Sequence, residues 1–277
     1  MTAALSAGQV EAYRRDGYLA PLPALDAKEA SALCDHIAAF EAEWGLVAGH
    51  VIRNKGHLKM TRLLELVRDP RILDAVEAVL GPDILCWGSS LFVKEAGDPG
   101  FVAWHQDSYY WGLEPFDVCS AWVALKPSTR ENGAMRVIPG SHQGPQRRHV
   151  ASAADSANML FTHEELDGGI DETAAVELLL EPGQMSLHHV NLLHGSQPNA
   201  SKDRRMGYAI RYVAAHVRQR GDMDSALLVR GQDRHGHFRP DPVPTRDMEP
   251  DIVAFVDAPL GGTPHGAGAG VQAAPPN

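Results

Sequence analysis

The chain changes character at Gly81-Pro82. Before that dipeptide apolar residues recur at helical spacing; after it they fall into short β-rich runs cut by Gly, Pro and Asn. Ser6 is a cap for a predicted helix over 7–16, which Gly17 stops. A second amphipathic helix is predicted from about Asp26 to Trp44, with Leu33, Ile37, Phe40 and Trp44 along one stripe. A third runs from about Thr61 to Leu80, with a possible break at Pro70. The β-rich runs cover 84–93, 118–125, 135–138, 176–180, 185–189 and 206–215, punctuated by Gly97-Asp98-Pro99-Gly100, Glu131-Asn132-Gly133, Pro139-Gly140 and Pro182-Gly183. Helices first and strands afterwards predict a helical support (1–80) packed on a mainly β sandwich or jelly roll (81–215). Residues 216–260 read as a C-terminal extension of one domain spanning 1–260. A polar stretch at 143–171 has little periodicity and the length of a lid-like insertion. The Gly, Ala and Pro of 261–277 predict a disordered tail.

At 277 residues the chain has ample length to bury a core, and a formal net charge of −10 disfavours nucleic acid or an acidic membrane as partner. Cys34, Cys86 and Cys119 are widely spaced and read as small buried residues in a reducing compartment. No basic start leads into an apolar run, and no stretch approaches eighteen apolar residues. The cytoplasm is the expected location. Oligomeric state is not readable.

The stretch Trp104-His105-Gln106-Asp107 is answered downstream by His194-Gly195-Ser196. Two imidazoles and one carboxylate are the set that holds non-haem Fe(II) on one face and leaves the other open. With 14 His and 20 Asp in the chain, about one His-x-Asp triplet arises by chance, so the triplet alone is weak. A double-stranded β-helix, however, brings a ligand pair on one strand near a third ligand from a late strand. Positions one and three of a strand face the same way, so His105 and Asp107 can share one interior. His194 is expected where a strand yields to a turn. No HExxH motif offers a helical zinc site instead.

Rival clusters are weaker. His163-Glu164-Glu165 lies in the polar stretch without a strand pattern. His188 and His189 are adjacent and would face opposite sides of a strand, so at most one could join a site; His189 is expected to support the turn before His194. His142, after Pro139-Gly140-Ser141, reads as part of a polar turn.

Residues 101–110, 121–142 and 182–212, with the start at 13–19 and the Gly81-Pro82-Asp83-Ile84 junction, together resemble the phytanoyl-CoA dioxygenase family of Fe(II)/2-oxoglutarate oxygenases. The resemblance covers roughly residues 7–215. It implies a cupin-like double-stranded β-helix with His105, Asp107 and His194 as iron ligands. Arg205, eleven residues after the distal histidine, would pair with the far carboxylate of 2-oxoglutarate, a task suited to a planar guanidinium. Ser196 is similar to a residue that hydrogen-bonds the cosubstrate. Trp122 and Ser90 match cavity-wall positions, and Trp111 resembles an aromatic in the related ectoine hydroxylases; for these three, core packing is an equal reading. Arg204 is expected on the opposite, solvent-facing side. Arg211 could face the pocket or stabilise the sheet.

The chemistry this implies consumes O2 and 2-oxoglutarate, releases succinate and carbon dioxide, and hydroxylates a C–H bond, with ascorbate as the reductant in vitro. Related halogenating enzymes carry a small residue in place of the carboxylate; Asp107 therefore implies hydroxylation, or a related desaturation or cyclisation. Two other classes stay open: a cupin-like metal enzyme that does not use 2-oxoglutarate, and a non-catalytic binding protein of the same fold. The acidic total charge opposes a coenzyme A thioester and favours a small metabolite, such as an amino acid or a natural-product intermediate. Arg147, Arg148 and His149, and the 50–59 stretch with Arg53, Lys55 and Lys59, are candidate contacts, as are Tyr109 and Tyr110.

Overall fold

The computed structural model describes residues 5–153, 156–160, 162–221 and 223–258. The tail expected to be disordered, 261–277, lies outside the described residues. Helix α1 (Ala7–Asp16) begins with a capping box in which Ser6 accepts from Gln9 N–H, and Gly17 ends it. Helix α2 (Ala27–Trp44) is capped in the same way by Asp26 and Glu29. Two short helices, α3 (Ala48–Val51) and α4 (Gly56–Lys59), lead to α5 (Thr61–Val67) and α6 (Pro70–Leu80). The third predicted helix thus splits at Asp69-Pro70: Asp69 caps the second piece and Pro70 takes its first turn, where a missing N–H costs nothing.

The strands are β1 (Tyr18–Pro23), β2 (Ile84–Lys94), β3 (Val102–His105), β4 (Leu113–Glu114) and β5 (Val118–Ala124). They continue as β6 (Met135–Val137), β7 (His149–Ala151), β8 (Glu164–Leu166), β9 (Val176–Leu178) and β10 (Gln184–His189). Last come β11 (His194–Ser196), β12 (Arg205–Ala214), β13 (Arg218–Gln219), β14 (Ser225–Arg230) and β15 (Arg239–Pro240). Helix α7 (Asp107–Trp111) follows β3, and α8 (Pro250–Asp257) follows β15.

A seven-stranded sheet runs β1-β10-β5-β12-β2-β14-β15, and a four-stranded sheet runs β3-β11-β6-β9. Neighbours distant in sequence and antiparallel pairing make this a jelly roll. Two departures from the sequence reading concern the large sheet. The region read as wholly helical before Gly81 contributes β1, paired with β10. The segment after Ala215 contributes β14, paired with β2.

Strand alternation sorts the large sheet into two faces. Cys119, Ala121 and Val123 of β5 join Met206, Tyr208, Ile210 and Tyr212 of β12 in a core with Leu33, Ile37, Phe40, Ile72 and Val76 of the helices. On the other face, Trp122, Ala124 and Ala209 pack with Met135, Val137 and Leu178 of the small sheet. Because both faces are covered, β5 is buried along its whole length. The stretch read as a lid holds the β7–β8 hairpin and touches the jelly roll through the Phe101–Asn158 bridge. Among the described residues no helix is long and apolar enough to cross a membrane.

Candidate active site

The register of the small sheet sets His105 and His194 directly opposite each other on β3 and β11, with ring centroids 4.1 Å apart. Each ring lies with Nδ1 2.9 Å from a backbone carbonyl, that of Ala103 for His105 and of Leu192 for His194. A carbonyl can only accept, so both rings donate from Nδ1 and keep a lone pair on Nε2. These Nε2 atoms lie 3.3 Å and 3.9 Å from the two oxygens of Asp107. All three ligand atoms fall within 4.8 Å of one another. Burial, aided by His105, pushes the His194 pKa down to about 3, so its ring is neutral at physiological pH. Burial opposes ionisation of Asp107, but His194 and His105, with Arg211, outweigh it and hold the carboxyl well below the usual range. Two imidazoles whose Nδ1 atoms are tied to carbonyls, and an ionised carboxylate, fit a divalent metal ion.

The triplet reaches this geometry by a different route from the one its sequence suggests. Strand β3 stops at His105, Gln106 is the N-cap of α7, and Asp107 is the first residue of that helix. The shared facing of His105 and Asp107 is therefore made by a strand-to-helix corner, which also turns Gln106 away. Its Nε2 donates to the carbonyl and the side-chain oxygen of Asn191, and its Oε1 accepts from Arg147 N–H. His194 likewise opens strand β11 instead of closing one. The turn before it is held by His189, whose Nδ1 accepts from Asn191 N–H at 3.0 Å.

The three residues open onto a cavity of about 400 Å³ that both sheets line. At one end stands Arg205, the first residue of β12, 4% exposed, with its guanidinium 4.7 Å from the Trp122 ring. Its Nε has no hydrogen-bond partner among the described residues. Burial lowers its pKa to about 10, which leaves it a cation. Lys94 is its direct neighbour across the β12–β2 ladder and donates to Ser196 Oγ at 2.8 Å and to the Gln197 carbonyl. Burial, with repulsion from Arg205, pushes the Lys94 pKa down to about 7. The Arg205 guanidinium, the Lys94 amine and the Ser196 hydroxyl give this part of the cavity wall a hydrogen-bonding, electropositive lining.

Ser90, Trp111 and Trp122 all line the cavity. Trp122 belongs to the Arg205 end. Ser90 and Trp111 instead meet Arg211: its NH1 donates to Ser90 Oγ at 2.8 Å, and its guanidinium lies 5.1 Å from the Trp111 ring. Arg211 therefore faces the cavity, as do Arg53, Tyr110 and His188. Arg204 is not a free surface charge; it grips both oxygens of Glu41 and also reaches Glu95, tying α2 to β12. Arg147 and His149 serve the framework: Arg147 donates to the Asp167 and Gly169 carbonyls, and His149 Nε2 accepts from Gln106 N–H. Lys55 and Lys59 pair with Asp241 and Asp257. His163-Glu164-Glu165 does not join a metal-ligand cluster among the described residues.

A jelly roll with a buried two-histidine, one-carboxylate cluster opening onto a cavity defines a class, the cupin-like folds with a facial metal-ligand set. The family model for phytanoyl-CoA dioxygenase matches residues 13–207, and the chain belongs to that family. A probable alpha-ketoglutarate-dependent hypophosphite dioxygenase of Stutzerimonas stutzeri is 35% identical over 184 residues, 64% of this chain and 63% of its own. The chain thus spans less than two thirds of that relative. An ectoine dioxygenase of Bordetella parapertussis is 26% identical over 229 residues, 72% of each chain. A solved non-heme monooxygenase, ThoJ, shares 36% identity at a TM-score of 0.77 over 88% of this chain and 91% of its own. At 35% identity the same fold is seen in a ThoJ–Ni complex.

Proposed function

We propose that the chain is an Fe(II)/2-oxoglutarate-dependent dioxygenase that hydroxylates a C–H bond of a small metabolite. The reading rests on one observation above all: two Nε2 lone pairs and the Asp107 carboxylate converge at the wall of a cavity whose far end holds Arg205, Lys94 and Ser196. His105, Asp107 and His194 would hold the metal on one face. Iron bound there supplies oxidative decarboxylation of 2-oxoglutarate with O2, giving succinate, carbon dioxide and a hydroxylated product.

The protein's own part is positioning. The Ala103 and Leu192 carbonyls fix the tautomers of both imidazoles. Arg205 and Lys94 attract the far carboxylate of the cosubstrate, and Ser196 Oγ, already held by Lys94, adds a hydrogen bond. Trp122 covers the guanidinium and keeps water from competing for it. An intact Asp107 favours hydroxylation over halogen transfer. Residues 1–260 form one oxygenase domain in this reading, at work in the cytoplasm, and ascorbate keeps the iron reduced in vitro.

The test is succinate formation with iron, ascorbate and 2-oxoglutarate across a panel of amino acids and natural-product intermediates. Substrate-dependent succinate is expected from the wild type and none from Asp107→Ala. Robust turnover without 2-oxoglutarate, or full activity in Arg205→Gln, would overturn the assignment.

A further inference from the structure

Arg205, Ala209 and Arg211 of β12 line the cavity, and Gly207, at the alternating position between the first two, lies under the Trp122 ring. The two arginines therefore mark opposite ends of one small-residue floor, with Cα atoms about 20 Å apart at the rise of a β-strand. Arg205 belongs to the proposed cosubstrate end. Arg211 does not; it is the cation whose charge acts on Asp107.

Arg211 lies in a cross-strand row of the large sheet that pairs His188 with Ser120, and Ser120 with Arg211. His188 and Ser120 are only 3% and 2% exposed, and both line the cavity. Neither His188 Nδ1 nor Ser120 Oγ has a hydrogen-bond partner among the described residues. The Arg211 guanidinium donates to the neutral Ser90 hydroxyl, and no carboxylate lies within ion-pair distance of it among the described residues. Apart from the Asp107 charge it acts on, this partly buried cation has no ion-pair partner among the described residues, and with two unpaired polar atoms in its row it forms a surface that can take an anion.

We propose that Arg211 docks an oxyanion of the substrate, with Ser120 and His188 as neutral partners, and that the substrate is a small organic acid. The proposal rests on the oxygenase reading for its chemistry and on the row itself for its binding site. A planar carboxylate and a tetrahedral phosphonate would both satisfy the guanidinium fork, and they are separated experimentally.

The test is anaerobic binding, followed by tryptophan fluorescence, of hexanoate, pentylphosphonate and hexanamide to Fe(II)-loaded protein saturated with 2-oxoglutarate. Hexanoate or pentylphosphonate should bind about ten- to a hundredfold more tightly than hexanamide, as expected for a hydrogen-bonded charge. The tighter of the two acids identifies the headgroup. Arg211→Gln should erase the preference while 2-oxoglutarate affinity is retained, and Arg211→Lys should restore part of it. An amide bound as tightly as both acids, or a preference that survives Arg211→Gln in folded protein, overturns the proposal. Should Arg211→Gln fail to fold, Arg211→Lys with an undiminished preference overturns it equally. A wild type that fails to bind 2-oxoglutarate overturns the oxygenase reading instead, and the acid-over-amide preference is then read without cosubstrate.

Discussion

His105 and His194 face each other across a single antiparallel pairing of β3 and β11, so one strand register positions two of the three candidate ligands. The register is kept by Gly195: a Cβ there would come within 2.9 Å of the Val102 carbonyl oxygen. Gly195→Val is expected to push β11 from β3 and spread the imidazoles, with metal affinity falling about ten- to a hundredfold. A Co(II) titration of the folded variant checks this. Unchanged affinity would show that the ladder does not govern the ligand spacing.

Behind the cavity wall, Lys55 Nζ lies 2.9 Å and 3.0 Å from the two oxygens of Asp241 and also donates to Ser225. Both side chains are removed from solvent. Asp241→Asn leaves the ammonium without its counter-charge and should cost about 3–5 kcal/mol of stability, measured by urea unfolding. The double variant Lys55→Met/Asp241→Leu should recover most of that loss. A single variant as stable as the wild type would refute the ion-pair account.

His189 predicts a dependence of stability on acid. Burial, then repulsion from His142, lowers its pKa from 6.5 to about 4, and its Nδ1 must stay unprotonated to accept from Asn191. Between those values the unfolded chain binds a proton that the native ring refuses, so its contribution is complete above pH 6.5 and is lost as pH falls toward 4. The loss is on the order of 2 kcal/mol, discounted for partial exposure. Melting temperatures of metal-free protein should fall over this window. In His189→Asn, whose amide oxygen can take the same N–H, the fall should be shallower; an identical pH profile would remove His189 from the account.

Much of the architecture was readable because it is local. Ser6, Asp26, Asp69 and Pro70 act within one helical turn, and the alternation of β5 and β12 follows from the pleat. Strand β1 escaped notice because it is an edge strand with two prolines, Pro21 and Pro23, lying between two capped helices. The residues of the triad were identifiable, but the corner at Gln106 was not, since its hydrogen bonds reach Asn191 and Arg147, 85 and 41 residues away. Lys94 gave no signal of its own. It becomes visible only when the β2–β12 register sets it beside Arg205. Arg211 was ambiguous for the opposite reason: its position on β12 was clear, but which face of that strand met the cavity depended on the pairing with Ser120.

The contact between Lys55 and Asp241 joins residues 186 positions apart, and this has a consequence for biosynthesis. A ribosome must deliver nearly all of the described chain before the ammonium can be neutralised and strand β14 added beside β2. Closing this buried ion pair is therefore a late event in synthesis.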